Sequence, residues 1–216
     1  MTVKMLNSIG KAFPLQELSC SEFAQQKVSG MKFSIRRFTA EGLGSVSVMT
    51  AAGFFGLMKM DTLIITPTAV DMPLYSYDRV LAMGNDTLIF ELYDTLLGNT
   101  DLSSLEKVKE SYKALPEHDL GAHWYDSIKL AVSLSKKGKK VHSAAFDKCT
   151  IEYLEAYLAV AKTAATCDAD EKREKASVYV EGLLKNGGPS TDVFKKGIGE
   201  EKTGELFRKV LFATKV

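Results

Sequence analysis

The 216-residue sequence has few of the side chains that hold metal ions or form disulfides. It contains three cysteines, Cys20, Cys149 and Cys167, with no C-x-x-C spacing, and only three histidines. An odd number of cysteines argues against a disulfide framework and indicates reduced, structural thiols in a cytoplasmic protein. No H-E-x-x-H motif and no paired Cys/His spacing is present, so the sequence predicts no metal site.

An excess of charge of either sign is also missing, because 28 lysines and arginines nearly balance 27 aspartates and glutamates. The net charge of +1 excludes a strongly basic nucleic-acid-binding protein and an acidic disordered tail. No apolar run approaches the roughly 18 residues of a membrane-spanning helix. Residues 1–11 lack the apolar segment and cleavage site of a signal peptide. We therefore expect neither a nucleic acid nor a membrane as a partner.

The common catalytic motifs are absent as well. No G-x-G-x-x-G sequence follows a predicted strand, and neither a Walker A sequence nor a G-x-S-x-G elbow occurs. Nucleotide binding and serine-hydrolase chemistry therefore have no support from motifs. His118 and His123 lie five residues apart around a loop that contains glycine. We interpret them as exposed loop side chains rather than as a metal-binding pair.

The first half of the sequence has the residue pattern of strands. The connections between the predicted strands are short, which favours antiparallel pairing, because parallel neighbours need a crossover of a dozen or more residues. Gly84-Asn85-Asp86 is a hairpin turn signal between the last two. Residues 15–29 have an apolar spacing that instead predicts a short amphipathic helix. The predicted strands are 31–38, 44–50, 57–67, 77–83 and 87–94.

The second half has the longer apolar spacing of helices. The Ser-x-x-Glu sequence from Ser103 to Glu106 predicts a capping box, and residues 135–140 are interpreted as an exposed basic turn. Strands followed by helices are typical of the α+β class. We expect one domain over residues 1–216, a three-layer α/β/α sandwich with a central, mainly antiparallel sheet of about five or six strands. The predicted helices are 102–115, 146–167, 171–186, a short one from Thr191 and a last one near 200–212.

Two aspartates, Asp61 and Asp78, interrupt apolar strand segments. Alternate residues of a strand point to opposite faces of the sheet, so Asp61 and Thr62 face in opposite directions. A carboxyl group set among Met, Phe and Tyr side chains has a raised pKa, which suits a proton donor. A polar residue at the start of a strand is also commonly a surface or turn group. Both interpretations remain open for Asp78 on these grounds.

The segment 65–94 resembles the central region of the ferredoxin-dependent bilin reductases and the related red chlorophyll catabolite reductases. The resemblance consists of a strand that ends in Pro67, a Pro-hydrophobic-x-x-x-Asp step from Pro73 to Asp78, and a strand that ends at Asp94. The closing helices of the family are similar to 153–164, 176–186 and 198–212, in the same order.

The resemblance implies an oxidoreductase that acts on linear tetrapyrroles. Members of the family bind an open-chain tetrapyrrole between the sheet and the C-terminal helices. They reduce it through radical intermediates, with electrons from ferredoxin and no bound flavin or metal. Their proton-donating Asp matches Asp78, and Thr62 occupies the position at which the biliverdin reducers carry a His. Trp124 and Ser127 belong to a segment similar to a Trp-containing loop, and Asn186 starts the counterpart of an Asn-Asp sequence.

The sequence leaves two main hypotheses about function, beside a third in which the protein is a divergent member of the family with an unrelated substrate. In the first, Asp78 protonates a linear tetrapyrrole during its reduction, Thr62, Trp124, Ser127 and Asn186 bind the substrate, and basic segments receive the propionates and an acidic ferredoxin. The alternative is a non-catalytic protein that binds a tetrapyrrole or another small apolar ligand in the same pocket. In both, Asp78 is predicted to point into a cavity covered by the 171–212 helices.

Overall fold

A computed structural model describes residues 1–215 and contains an eight-stranded antiparallel sheet with helices packed on both faces. The strand order is β1-β3-β4-β5-β6-β7-β8, and β2 pairs with β3 beside β1. The predicted α/β/α sandwich around an antiparallel sheet is therefore confirmed, but the sheet has eight strands rather than the expected five or six. The strands are β1 (Leu15–Leu18), β2 (Gln25–Val28), β3 (Met31–Ala40), β4 (Gly44–Gly53), β5 (Met58–Pro67), β6 (Leu74–Ala82), β7 (Asn85–Tyr93) and β8 (Leu134–Lys139).

Helices form the two outer layers, and no helix within residues 1–215 has the length and hydropathy to cross a membrane. A π-helical segment, Leu206–Leu211, continues the last helix and is followed by Phe212. The predicted 171–186 helix is present and begins two residues earlier, directly after its N-cap Asp168, whose side chain accepts hydrogen bonds from the backbone N–H groups of Asp170 and Glu171. The helices are α1 (Thr2–Ala12), α2 (Ser103–Ser111), α3 (Ser143–Ala161), α4 (Ala169–Asn186), α5 (Pro189–Ile198) and α6 (Glu200–Glu205).

The sheet contributes side chains to two hydrophobic cores, one on each face, because successive side chains of a strand point to opposite faces. On one side, Leu63 and Tyr75 are fully buried in a core with α1, α2 and α3, which we call the α3 face. On the other, Ile64 and Tyr93 pack with α4, α5 and the π-helical segment, which we call the α4 face. The predicted opposition of odd and even residues along the third predicted strand is confirmed.

Residues 15–29 are not helical, so that prediction was wrong. They contain β1 and β2, which lie one after the other along β3, with Leu15 opposite Ala40 and Val28 opposite Met31. Without β1 and β2, the ten-residue strand β3 would be the edge of the sheet and would leave a row of backbone N–H and C=O groups unpaired. Pairing along β3 satisfies those groups, and this tertiary interaction overrides the helical spacing of the apolar side chains.

Two local predictions near the other edge of the sheet also differ from the structure. Residues 135–140 belong mainly to β8, which pairs with β7, rather than to a turn. Lysines on such an edge strand oppose pairing with a further strand. The capping box is not formed, because Ser103 already lies inside α2 and its backbone N–H donates to Asp101 Oδ1 at 2.9 Å.

A buried ion pair attaches α4 to the rest of the fold. Lys172 is fully buried, and its Nζ lies 2.8 Å from Asp71 Oδ1 and donates to the carbonyl oxygen of Thr95. Asp71 also accepts hydrogen bonds from the backbone N–H groups of Leu97 and Gly98, both at 2.8 Å. Burial alone would raise the pKa of Asp71, but these bonds outweigh burial and lower it. The carboxylate is therefore charged and fully engaged at neutral pH.

We expect Lys172→Met to lower the free energy of unfolding by about 3 kcal/mol, because it leaves the Asp71 carboxylate buried without its cation. Urea unfolding at neutral pH measures the change. Lys185→Met, at an exposed position of the same helix, is the control and should cost less than about 0.5 kcal/mol. Adding Asp71→Asn to Lys172→Met should recover part of the loss. Equal losses for the two lysine variants would show that the ion pair does not hold α4.

Candidate ligand-binding site

A cavity of about 380 Å³ lies between the α4 face of the sheet and the C-terminal helices. Its volume falls in the range of small-molecule sites. The alternate side chains of β5, β6 and β7 that point to the α4 face form the floor of the cavity. A loop before β8 forms one wall, and α4, the start of α5 and the π-helical segment form the roof. The floor includes Met60, Thr62, Ile64, Ser76, Asp78, Val80, Ile89 and Glu91, the wall His118, Leu120, His123 and Tyr125, and the roof Tyr179, Leu183, Thr191, Phe207 and Leu211.

The antiparallel register places Asp78 in the middle of the floor. Asp78 on β6 lies opposite Thr62 on β5 and Ile89 on β7, and residues directly opposite each other share a face. Thr62 Oγ1 donates a hydrogen bond to Asp78 Oδ1 at 2.5 Å. The predicted position of Asp78, facing a cavity covered by the C-terminal helices, is confirmed. Asp61, the other candidate, belongs to the opposite parity and does not line the cavity.

Burial among the cavity walls raises the pKa of Asp78 to about 6. The hydrogen bond from Thr62 acts in the opposite direction, and the nearby negative charge of Glu91 adds to the increase. A carboxyl group with this pKa is half protonated near pH 6 and still carries a proton in part of the molecules at pH 7. Such a group is able to donate a proton to a bound molecule near neutral pH.

Glu91 is a second carboxylate on the cavity floor, and sequence reasoning did not single it out. Its Oε2 accepts a hydrogen bond from the Tyr93 hydroxyl at 2.7 Å, and Lys129 Nζ lies 3.7 Å from Oε1. Its side chain is only 11% exposed. The two-residue turn between β6 and β7 pairs Glu91 with Ser76, two positions from Asp78, so both carboxyl groups lie on the α4 face. The signal that could have found Glu91 is therefore the exact length of this turn.

Aromatic side chains form one end of the cavity. The ring of Tyr93 stacks on that of Tyr179 with a centroid distance of 4.0 Å, and Tyr125 packs edge-on against Tyr93 at 5.5 Å. His123 stacks on Tyr125 at 4.9 Å. His118 and His123 are half-buried in the cavity wall, so their interpretation as exposed loop side chains was wrong. Planar apolar ligands fit surfaces of this kind.

Burial lowers the pKa of His118, and the positive charge of Lys137 lowers it further. Its imidazole is therefore mainly neutral at neutral pH and can accept a hydrogen bond. Within residues 1–215, no three His, Cys, Asp or Glu side chains come together in a group that could hold a metal ion.

The structure brings two of the five predicted site residues together. Thr62 and Asp78 line the cavity, whereas Trp124, Ser127 and Asn186 do not. Ser127 lies exposed in a short 3₁₀ turn, and Asn186 is the exposed last residue of α4. A direct role of the latter three in substrate binding remains a prediction that this geometry does not favour.

Trp124 instead fastens the wall loop to the roof. Its ring stacks on Tyr179 at 5.9 Å, and its Nε1 donates to the carbonyl oxygen of Gly187 at 3.3 Å. The ring also lies so close to α4 that a Cβ atom at Gly182 would come within 2.2 Å of it. Glycine at position 182 therefore permits the contact, and the contact places the next residue, Tyr125, against the cavity.

No protein-family model and no curated protein matches this sequence. Among solved structures, the chain is similar to the crystal structure of phytochromobilin synthase from tomato in complex with biliverdin. The TM-score is 0.78 over 99% of this chain and 82% of that chain, at 15% sequence identity. The chain has the fold of that synthase. At this level of identity the likeness concerns the fold, which agrees with the architecture implied by the resemblance in the sequence.

We expect Asp78→Asn to be more stable than the wild type at about pH 7.5 and to lose this advantage as the pH falls. The pKa of Asp78 is about 6 in the folded protein, above the ordinary value of 3.8, so the folded state binds this proton more tightly than the unfolded chain. The resulting stabilisation is complete below about pH 4 and is lost as the pH rises through 6. The difference at about pH 7.5 should be about 3 kcal/mol.

Urea unfolding between about pH 4 and pH 8 measures this difference. Asp94→Asn, which removes an exposed carboxylate just after β7, is the control for the loss of one negative charge. If the free energies of the wild type and Asp78→Asn run parallel over this range, Asp78 does not carry a raised pKa.

Proposed function

We propose that this protein is a ferredoxin-dependent oxidoreductase that binds a linear tetrapyrrole in the cavity, with Asp78 as the proton donor. The observation that carries the proposal is the position of Asp78, with its pKa near 6, on the floor of a largely apolar cavity. The fold supports it as well, because the phytochromobilin synthase of similar structure was crystallised with biliverdin, which is a linear tetrapyrrole.

The proposed reaction adds two electrons and two protons to one unsaturated unit of the ligand. Reduced ferredoxin delivers the electrons one at a time, and the proposal requires no bound flavin or metal. A conjugated ring system accepts an electron more readily when protonation offsets the added negative charge. Asp78 gives one proton to the ligand and recovers it from solvent, and the second proton comes from solvent. Because Thr62 donates to Oδ1 of Asp78, Oδ2 is free to face the ligand.

Glu91 is suited to hold the ligand by its pyrrole N–H groups. Its Oε1 is buried without a hydrogen-bond partner, and the ion pair with Lys129 is too long for a hydrogen bond. A buried acceptor of this kind gains free energy when a ligand donor reaches it. We assign Glu91 to ligand orientation and Asp78 to proton transfer, because the Tyr93 hydroxyl already donates to Glu91 and fixes its direction.

The cavity walls offer no cation to an anionic ligand group. Among the described lining residues there is no lysine or arginine, and the two charged side chains are the carboxylates Asp78 and Glu91. The propionates of a bound tetrapyrrole therefore have to reach solvent at the mouth of the cavity. This replaces the expectation from sequence that basic segments receive the propionates.

We expect biliverdin to bind with a change in its visible absorption spectrum and to be reduced when reduced ferredoxin is added. Asp78→Asn should bind biliverdin within about threefold of the wild type, but its turnover should fall at least about 100-fold because the proton donor is lost. Glu91→Gln should weaken binding about fivefold to tenfold, because a neutral amide oxygen is a poorer acceptor. Absorption titrations and single-turnover assays measure both effects.

Asp94→Asn again serves as the control and should behave as the wild type. Unchanged turnover in Asp78→Asn would overturn the assignment of the proton donor. Binding without turnover in the wild type would favour a non-catalytic tetrapyrrole-binding protein, and the absence of any spectral change would overturn the proposed function itself.

We also expect the dimethyl ester of biliverdin to bind within about threefold of the free acid, since no cation in the cavity pairs with the propionates. Titration of both compounds under the same buffer and detergent conditions compares the affinities. A free acid that binds more than about tenfold tighter would mean that lysines or arginines close over the ligand when it binds.

A further inference from the structure

Three hairpin turns meet at one end of the sheet. The residues next to these turns are paired in a row across the sheet: Val28 with Met31, Met31 with Gly53, Gly53 with Met58, and Met58 with Ala82. The β2–β3, β4–β5 and β6–β7 turns therefore lie side by side. The end of β8 joins them, because Lys139 pairs with Asn85 at the start of β7. We call the turns 29–30, 54–57 and 83–84, with residues 137–141, the turn end of the sheet.

Large hydrophobic side chains collect at the turn end without a partner in the protein. Phe55 is fully exposed, and Leu57, Met83 and Val141 are 70%, 90% and 84% exposed. Within residues 1–215, six of the nine exposed large hydrophobic residues lie at this end or, like Leu81, immediately beside it. A cluster of this kind marks an interaction surface rather than the ordinary scatter of single apolar side chains.

The turns also carry residues that a turn does not favour. Phe54, Phe55 and Met83 have φ values of 51°, 56° and 50°, in the left-handed region that glycine, asparagine and aspartate adopt most easily. A two-residue hairpin turn is ordinarily built from those residues. Bulky apolar side chains here cost the fold both strain and exposure to water, so the structure itself gives no reason for them.

Lysines lie in the same segments as these side chains, and those segments contain no exposed carboxylate. Asp86 is the one acidic residue in the segments 27–32, 51–60, 80–86 and 137–142, and it is buried in an ion pair with Arg79. Six exposed lysines in these segments have no ion-pair partner among the described residues: Lys27, Lys32, Lys59, Lys137, Lys139 and Lys140.

We propose that the turn end docks peripherally on an anionic lipid membrane, with the apolar turn residues inserted among the lipids and the lysines at the phosphate groups. Separate protruding side chains suit a lipid interface, which adapts to them, and exposed lysines are attracted to its negative surface. A protein partner is less well matched, because hot spots of protein interfaces fill pockets, and the exposed turn residues line neither the cavity on the α4 face nor the surface pockets beside α1, β1 and β8. Docking of this kind needs no membrane-spanning helix, and it revises the expectation that the protein has no membrane partner.

Flotation of the full chain with lipid vesicles tests the proposal. Vesicles of phosphatidylcholine with about 30% phosphatidylglycerol should bind the protein at least about tenfold more tightly than pure phosphatidylcholine, and the affinity should fall as salt rises from about 0.1 to 0.5 M. Leu57→Ser should weaken binding about fivefold or more, because an inserted apolar side chain is lost. Lys139→Gln combined with Lys140→Gln should weaken it about tenfold or more.

Matched variants elsewhere on the surface serve as controls. Val178→Ser removes a valine on α4 that is 68% exposed, and Lys107→Gln with Lys162→Gln removes two exposed lysines, one on α2 and one directly after α3. Both controls should bind as the wild type does. The absence of binding to anionic vesicles would overturn the proposal and favour a protein partner. Equal losses in the turn-end and control variants would overturn it as well, because binding would then be a non-specific effect of charge or hydropathy.

Thermal unfolding confirms that each variant is folded before it is mixed with vesicles, and these exposed substitutions should change the melting temperature by less than about 3 °C. The proposal does not depend on the proposed enzymatic function. Biliverdin binding and turnover are measured without lipid, so either proposal can fail while the other holds.

Discussion

The candidate site depends on a constraint of the antiparallel sheet, which is that a strand alternates its side chains between two faces. The turn at Met83-Gly84 contains two residues and pairs Asp78 with Ile89, which places Asp78 and Glu91 on the α4 face. A turn one residue longer would shift the pairing and move Glu91 to the α3 face, among the buried aromatic side chains. An ionised carboxylate there would be desolvated without a partner, so the hydrophobic core and the site both select the observed register.

The helices that cover the cavity change the chemical properties of these side chains. Asp78 would have an ordinary pKa on an open sheet, and it is the cover of α4 and the π-helical segment that removes water from it. The position of α4 in turn depends on the ion pair between Lys172 and Asp71, at one end of the helix, and on the packing of Trp124 against Gly182 near the other. Interactions outside the cavity thus set the protonation of the group inside it.

Much of the architecture follows from local patterns. The five predicted strands correspond to β3–β7, and the alternation around Thr62 was sufficient to separate it from Asp61, because a buried face imposes a strict period of two. The prediction of a helix over residues 15–29 was wrong because an amphipathic helix and two short edge strands bury the same kind of apolar residues. Only the pairing with β3 decides between the two structures. Local periodicity contains no information about which strand is left with an open edge.

The site was less accessible to sequence reasoning than the fold. Asp78 could be singled out from an apolar strand and from the resemblance to a family, but Glu91 requires the length of a turn to be known to one residue. The cavity tyrosines and His118 and His123 required more, namely the packing of loop and helix side chains that are distant in sequence. Trp124 was recognised as part of a notable loop, yet its contact with Gly182 shows it in a supporting position.

The net charge of +1 conceals a spatial separation that the sheet creates. Residues 41–100 contain seven acidic and two basic side chains, and two of these acids face the cavity. The exposed lysines of the turn end stand at the ends of the same strands and their neighbours, where side chains leave the core for solvent. Met60 on β5 and Val80 on β6 line the cavity, and each lies three residues from an apolar turn residue, Leu57 or Met83. Three residues of a strand span about 10 Å, so the acidic and apolar cavity lies about 10 Å from the basic and apolar turn end. The cavity lining contains no lysine or arginine, so the lysines of the rim face solvent rather than a ligand held in the cavity.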